Sequence, residues 1–128
     1  MRYLLDTHAL LWIVGDDSRL SRKVRRLYLD ESNEMLFSMA GIWEMAIKIS
    51  LGKLHLPATL SDFVREHIRG NKIDILSIEL GHLYQLERLE YYHRDPFDRL
   101  LIAQAMSENI TIISSDGVFE RYPVQRIW

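Results

Sequence analysis

The stretch RYLLDTHALLWI, residues 2–13, runs from a short apolar segment through one aspartate into an apolar pattern with helical spacing. Tyr3–Leu5 predict a buried strand, and Ala9–Ile13 begin a helix. The same alternation recurs along the chain, and the further predicted strands are Met35–Ser38, Lys72–Ile78, Ile110–Ser114 and a short edge strand within residues 124–128. Strands that alternate with helices predict an α/β fold with a mainly parallel sheet of about four or five strands and helices on both faces.

The length and composition predict one globular domain that spans residues 1–128. The chain has 48% hydrophobic residues, a mean hydropathy of −0.11 and a formal net charge of −2, which are typical of a soluble folded protein rather than a disordered one. No apolar run is long enough to span a membrane, and the first residues do not have the pattern of a secretory signal. The absence of cysteine excludes disulfides, thiolate zinc sites and a cysteine nucleophile. We therefore expect a cytoplasmic protein.

One segment, SRLSRKVRRLYLDE, is strongly basic, although the net charge gives no general attraction to nucleic acid. Its basic residues are Arg19, Arg22, Lys23, Arg25 and Arg26. The favoured interpretation is a solvated helix face in which Arg26 pairs with Asp30 one turn later. The alternative is a rim that contacts nucleic acid.

Two aspartates begin the helix predicted within HRDPFDRLLIAQA, residues 93–105. Asp95 suits the capping position, because Pro96 fits the first helical residue that follows it. Asp98 would also be favoured by the helix dipole. At 100° per residue, however, it lies at the centre of the apolar arc formed by Leu101, Ile102, Ala105 and Met106. A carboxylate in that direction is costly unless it is paired or binds a metal, so we interpret Asp98 as functional and Asp95 as a cap.

Three further acids have local explanations that are sufficient for each one alone. Asp6 follows the first strand and could cap the next helix, and Asp116 follows the fourth strand in an Asp-Gly turn. Glu44, in the first turn of the helix predicted over residues 41–50, could pair with Lys48 on the surface or face a cleft.

Taken together, the four acids indicate a metal site. Asp6, Glu44, Asp98 and Asp116 can converge at the carboxyl edge of a parallel sheet, where α/β proteins bind ligands. Four carboxylates in one cleft repel each other unless a cation neutralises them. Oxygen ligands alone select hard cations such as Mg²⁺ or Mn²⁺, and hydrolysis of a phosphodiester by metal-activated water is the chemistry that suits such a site.

Other site classes lack their motifs. The five histidines show neither HxxxH nor HExxH spacing, and GxGxxG, GxxxxGK[ST] and GxSxG are absent. His8 and His93 neighbour the candidate acids, and a structural hydrogen bond is favoured over substrate contact for both. A phosphoryl-transfer domain of the receiver or haloacid-phosphatase type would need a second carboxylate close to Asp6, whereas the sequence there is DTH.

Four segments in order, YLLDTHALLW, FSMAGIWEMAIKISLGKLHLP, HRDPFDRLLIAQA and ITIISSDGVFERY, resemble those of PIN-domain proteins, specifically the VapC toxins of type II toxin–antitoxin pairs. The resemblance covers essentially the whole chain. It implies a Mg²⁺- or Mn²⁺-dependent endoribonuclease whose acidic quartet matches Asp6, Glu44, Asp98 and Asp116. It also implies a VapB-type antitoxin that blocks the site, an RNA substrate and a homodimer.

The resemblance also suggests auxiliary residues and shows one departure. Thr7 and Ser114 or Ser115 match the places of assisting hydroxyls, and Arg99 and Lys48 are candidate phosphate contacts. Relatives often carry a serine three residues before the glutamate, where this chain has Gly41. That departure keeps a second interpretation open, a catalytically weak PIN-like module that binds RNA or protein.

Overall fold

The computed structural model, which describes residues 1–128, contains one five-stranded sheet in the order β3-β2-β1-β4-β5. Every neighbouring pair of strands is parallel. The strands are β1 Arg2–Leu5, β2 Glu34–Ser38, β3 Ile73–Leu76, β4 Thr111–Ile113 and β5 Arg126–Ile127. The predicted parallel α/β fold and the short edge strand at the end of the chain are therefore confirmed, although β3 is shorter than its apolar run suggested.

Six α-helices connect the strands: α1 Thr7–Val14, α2 Arg22–Leu29, α3 Met39–Ser50, α4 Leu60–Phe63, α5 Leu80–Glu87 and α6 Pro96–Glu108. The helix predicted after Thr59 begins as α4 and continues as a π-helical segment, Val64–Ile68, and a 3₁₀ turn, Arg69–Asn71. Another 3₁₀ turn, Gly117–Arg121, follows β4. None of the helices has the length and apolar character that a membrane crossing requires.

The sheet is covered on both faces, as its apolar strands predict. Successive residues of β1 point to opposite sides: Tyr3 and Leu5 belong to one core cluster, and Leu4 belongs to the other. The first cluster includes buried residues of α1, α2 and α3, and the second includes buried residues of α6. Polar side chains can therefore cluster at the ends of the strands.

The polar residues that end the strands also begin the next helices. The Asp6 carboxylate caps α1 by accepting from the Ala9 N–H at 2.8 Å. Ser38 caps α3 in the same way. The predicted place of Glu44 in the first turn of this helix was wrong. Because α3 starts at Met39, Glu44 lies in the second turn. The hydroxyl cap at Ser38 starts the helix earlier than Gly41 suggested.

Asp95 and Pro96 start α6 as predicted. The Asp95 carboxylate accepts from the N–H groups of Phe97 and Asp98 at 2.9 and 3.0 Å, and Pro96 is the first helical residue. This cap fixes the direction of the first turn, and therefore of Asp98.

The basic segment is paired differently from the expectation. Arg26 and Asp30 form no ion pair; the Asp30 carboxylate instead accepts from the hydroxyl and N–H of Ser32. Two arginines of this segment instead pair with acids of the loop before α2: Arg25 pairs with Asp16, and Arg19 pairs with Asp17. The short Asx turn at Asp30 draws its carboxylate away from the helix face.

Candidate active site

The four predicted acids line one pocket of about 300 Å³. It opens at the carboxyl edge of the sheet, where β1 and β4 end. The pocket is lined by Asp6, Thr7, His8, Leu11, Glu44, Lys48, Lys53, Leu54, Asp95, Asp98, Ser115, Asp116 and Phe119. The structure therefore brings together the acidic quartet and three of the four auxiliary residues, and leaves out Arg99.

Asp6 is the most enclosed of the four acids. Its side chain is buried between β1 and α1, and this burial raises the pKa of the Asp6 carboxyl above its usual range. The Ser114 hydroxyl, the Ala9 N–H and the charge of His8 act in the opposite direction, while the Asp116 charge adds to the increase. Of the two candidate serines, Ser115 lines the pocket. Ser114 is buried, and its hydroxyl bonds Asp6 and accepts from the Asp116 N–H at 3.0 Å.

Glu44 is held by two partners, one for each carboxylate oxygen. The Thr7 hydroxyl donates to Oε1 at 2.9 Å, and the Lys48 ammonium lies 3.2 Å from Oε2. The Glu44 side chain is only 12% exposed. Both sequence interpretations therefore hold at once, because the ion pair with Lys48 forms inside the cleft. Thr7 connects α1 to α3 and fixes the orientation of the glutamate.

Asp98 carries the largest electrostatic cost. Burial raises the pKa of its carboxyl to about 7, and the Asp95 charge adds to this increase, as do those of Asp6 and Glu44. His93 alone acts in the lowering direction. This pKa reflects first the burial of the carboxyl and then the like charges beside it. A cation among these carboxylates would relieve that repulsion.

His93 lies between two of the acids. Its Nδ1 accepts from the Asp95 N–H at 3.2 Å, which assigns the ring proton to Nε2. Nε2 then donates to Asp116 Oδ2 at 2.9 Å and lies 3.3 Å from Asp98 Oδ2. The structural hydrogen bond favoured for His93 is present. Asp98 lies close to His93 in the sequence, but Asp116 is 23 residues further along the chain, so no local sequence pattern could have identified that partner.

One atom each of His93, Asp98 and Asp116 lie within 4.8 Å of one another, so this group is the tightest set of candidate metal ligands. With its proton on Nε2, however, the imidazole is a hydrogen-bond donor to the carboxylates rather than a ligand. The oxygen donors of the quartet remain, and they fit a hard divalent cation such as Mg²⁺ or Mn²⁺.

Arg99 is the one candidate that the structure does not bring to the pocket. Its buried guanidinium donates to the carbonyls of Glu90 and Leu89 at 2.8 and 3.2 Å. It also stacks over the Tyr91 ring, 3.6 Å from the ring centre. Neighbouring residues on a helix point about 100° apart, so Arg99 faces away from Asp98. In this position it holds the loop that carries His93.

The glycine at position 41 has a packing reason. A Cβ on Gly41 would meet the Phe37 ring, with Cε2 at 2.8 Å and Cε1 at 2.9 Å. Phe37 is itself fully buried at the end of β2. The ring thus fills the space that a serine side chain would need, while all four acids stay in place.

The family model of the PIN domain matches residues 3–125. A chain of VapBC2 from Rickettsia felis, bound to a promoter DNA fragment, has a TM-score of 0.73 at 16% identity, with 99% of this chain and 98% of that chain covered. A chain of VapBC-1 from nontypeable Haemophilus influenzae has a TM-score of 0.71 at 15% identity, and a chain of DNA-bound VapBC from Salmonella typhimurium has a TM-score of 0.71 at 17% identity. Each match covers 99% of this chain and 97% of the other chain. These likenesses show a shared fold. A comparison with curated proteins finds no match. By the extent of the family match, the chain belongs to the PIN domain family.

Proposed function

We propose that this PIN domain is a Mg²⁺- or Mn²⁺-dependent endoribonuclease that hydrolyses RNA phosphodiester bonds. One observation carries the proposal: Asp6, Glu44, Asp98 and Asp116 reach the same pocket from separate elements. Burial raises the pKa values of Asp98 and Asp6, and repulsion within the quartet adds to both increases, through Asp6 and Glu44 at Asp98 and through Asp116 at Asp6. Such an arrangement is expected where a hard cation binds. PIN domains are in general nucleases, which agrees with this chemistry.

Asp6, Asp98 and Asp116 would hold the cation, and Glu44 would complete the set of ligands or orient a water molecule. When bound, the cation supplies Lewis acidity and lowers the pKa of water. Thr7 and Lys48 keep Glu44 in one orientation through their contacts with its two oxygens. Ser114 and His93 hold Asp116 from its N–H and its carboxylate. These contacts preorganise the acids around the cation.

Cleavage of RNA by the purified protein tests this proposal. With Mg²⁺ or Mn²⁺ the wild-type protein should cut single-stranded RNA, and a chelator should stop the reaction. Asp6→Asn should abolish cleavage, because it removes a charged oxygen at the centre of the site. Asp74→Asn is a matched control, since Asp74 is exposed on β3 and outside the pocket. Equal cleavage by the wild type and Asp6→Asn would contradict the mechanism.

We also propose that the nuclease is the VapC-type toxin of a type II toxin–antitoxin pair, working as a homodimer and inhibited by a VapB-type antitoxin. The support is the likeness, over nearly the whole chain, to chains of VapBC complexes. Large apolar side chains are also exposed on α3 and α5: Trp43 at 56%, Leu80 at 66% and Tyr84 at 59%. Where such side chains form one continuous patch, the surface suits contact with another protein chain.

Expression in cells tests the toxin proposal. Expression of the chain alone should arrest growth, and co-expression of a small gene encoded beside it should relieve the arrest. The Asp98→Asn variant should not arrest growth if RNA hydrolysis is the cause. Absence of arrest by the wild-type chain, together with no effect of the neighbouring gene, would count against the toxin role.

The alternative, a module that binds RNA or protein without efficient catalysis, has one observation in its favour, the glycine at position 41. Titration of the protein with Mn²⁺ in a calorimeter separates the two. A degenerate site would show no binding that depends on the carboxylates, whereas the nuclease should bind Mn²⁺ and lose that binding in Asp98→Asn.

A further inference from the structure

The wall of the pocket formed by α3 and the turn after it carries two lysines. Glu44, Lys48 and Lys53 follow one another along this wall, with Leu54 beside them. Lys48 already forms an ion pair, because its ammonium lies 3.2 Å from the Glu44 carboxylate. Lys53 is exposed and has neither an ion pair nor a side-chain hydrogen bond. It is therefore the one lysine or arginine of the pocket lining whose charge no acid of the protein neutralises.

The position of Lys53 is set by a well-defined helix end. Gly52 adopts a φ of +72°, which a residue with a side chain rarely adopts. The Lys53 N–H then bonds the Lys48 carbonyl at 2.8 Å, and the Gly52 N–H bonds the Ile49 carbonyl at 3.1 Å. These two bonds form a Schellman motif, which turns the chain back over the last turn of α3. Lys53 is thus held beside Lys48 rather than left on a free loop.

The residue types at this helix end are unusual for the motif. The two positions that a Schellman motif brings together commonly hold apolar residues that touch each other. Here both positions hold lysines, Lys48 and Lys53. Like charges at neighbouring positions are destabilising, and only one of the two has an acid partner. The helix dipole favours a positive charge at this end of α3, but Lys53 has no acid partner there, and an anion bound at the pocket would supply one.

The charge of the pocket gives the second reason. Its lining contains the carboxylates of Asp6, Glu44, Asp95, Asp98 and Asp116. A divalent cation offsets only part of that negative charge, so the approach of an RNA backbone remains unfavourable at this edge of the sheet. A cation of the same pocket lining that is free to pair reduces this repulsion and offers a direct contact to phosphate.

We infer that Lys53 binds a backbone phosphate of the RNA that the pocket cleaves, while Lys48 serves mainly to hold Glu44. This inference rests on the proposed endoribonuclease function. Leu11, Leu54 and Phe119 also line the pocket. They offer apolar surface to the sugar or base of a bound nucleotide.

Three variants test the role of Lys53. Lys53→Met removes the charge and keeps the aliphatic part of the side chain, and Lys53→Arg retains the charge. Lys72→Met is the control, because Lys72 is an exposed lysine at the opposite edge of the sheet, directly before β3. Affinity is measured by fluorescence anisotropy with a short labelled single-stranded RNA of mixed sequence, in Ca²⁺, over a range of salt concentrations. Mn²⁺ affinity is measured separately.

For Lys53→Met we expect the RNA Kd to rise about threefold to tenfold. The slope of log affinity against log salt should fall by about 0.7, the loss of one phosphate contact to a single strand. Lys53→Arg should restore both values, Lys72→Met should match the wild type, and all four proteins should bind Mn²⁺ equally. The inference is overturned if Lys53→Met keeps the wild-type Kd and salt slope, or if Lys72→Met weakens binding as much. Failure of the wild-type protein to bind or cut RNA would instead overturn the proposed function, and this inference with it.

Discussion

At the scale of single residues, the protonation of Asp98 connects the electrostatics of the pocket to metal binding. Burial and the charges of Asp95, Asp6 and Glu44 raise the pKa of its carboxyl to about 7 in the metal-free protein. The folded-state pKa lies above the unfolded value, so below about pH 7 the folded protein retains a proton on this group. A metal ion must displace that proton in order to bind.

Mn²⁺ affinity should therefore depend on pH. Between pH 5.5 and pH 7 we expect the apparent affinity to rise by up to about tenfold per pH unit and to level off above pH 7. Calorimetric titration at several pH values measures this, with the exposed-acid variant Asp74→Asn as a control that should show the same profile. A constant affinity over this range would contradict the assigned protonation of Asp98.

His93 offers a second prediction at the residue scale. Because Nδ1 accepts from the Asp95 N–H, Nε2 should remain a donor to Asp116 and should not ligate the metal. Pulsed electron paramagnetic resonance of the Mn²⁺-loaded protein should show no directly coordinated nitrogen.

Two isosteres sharpen this test. His93→Gln can keep a donor near the Nε2 position, whereas His93→Asn reaches only the Nδ1 position, so Mn²⁺ affinity should be better retained in His93→Gln. A strong nitrogen coupling in the wild type that disappears in both variants would show instead that His93 is a ligand.

At the scale of secondary-structure elements, the junction between β2 and α3 explains the departure at position 41. The Phe37 ring occupies the place of a side chain on Gly41. Gly41→Ser should therefore lower the free energy of unfolding by about 1–3 kcal/mol, the usual cost of overpacking a core. Urea denaturation measures the change.

A double variant separates packing from chemistry at this junction. Gly41→Ser combined with Phe37→Leu should recover part of the lost stability relative to Phe37→Leu alone, because the smaller side chain leaves space for the hydroxyl. An unchanged stability of the single variant Gly41→Ser would show that Phe37 moves aside freely, and the packing explanation would then be wrong.

The secondary-structure elements also show which features of the fold and of the site can be predicted from the sequence. The strands, the Asp95 cap and the inward direction of Asp98 follow from periodicity and capping rules. The helix α3 starts at Met39, before the predicted start at Gly41, because the Ser38 hydroxyl caps it there. The direction of Arg99 could have been predicted, since adjacent helical residues diverge by about 100°. The bond from His93 to Asp116 could not, because the two residues are 23 positions apart and belong to different elements.

At the scale of the whole molecule, the strand order creates the site. β1 lies between β2 and β4, so Asp6 at its end is placed between the start of α3 and the turn that carries Asp116. α6 adds Asp98 from the helical layer. No single segment contains the site, and the order of the strands is what joins the segments. That order comes from long-range packing, which local sequence patterns do not encode.

The central claim is that these acids bind a divalent cation to cleave RNA, and the most direct test is the rate of RNA cleavage by wild type and Asp98→Asn as Mn²⁺ is varied. We predict that wild-type cleavage rises with Mn²⁺ and saturates, and that Asp98→Asn is slower by at least about a hundredfold at every concentration. Equal rates for the two proteins, or wild-type cleavage that persists in a chelator, would contradict the account.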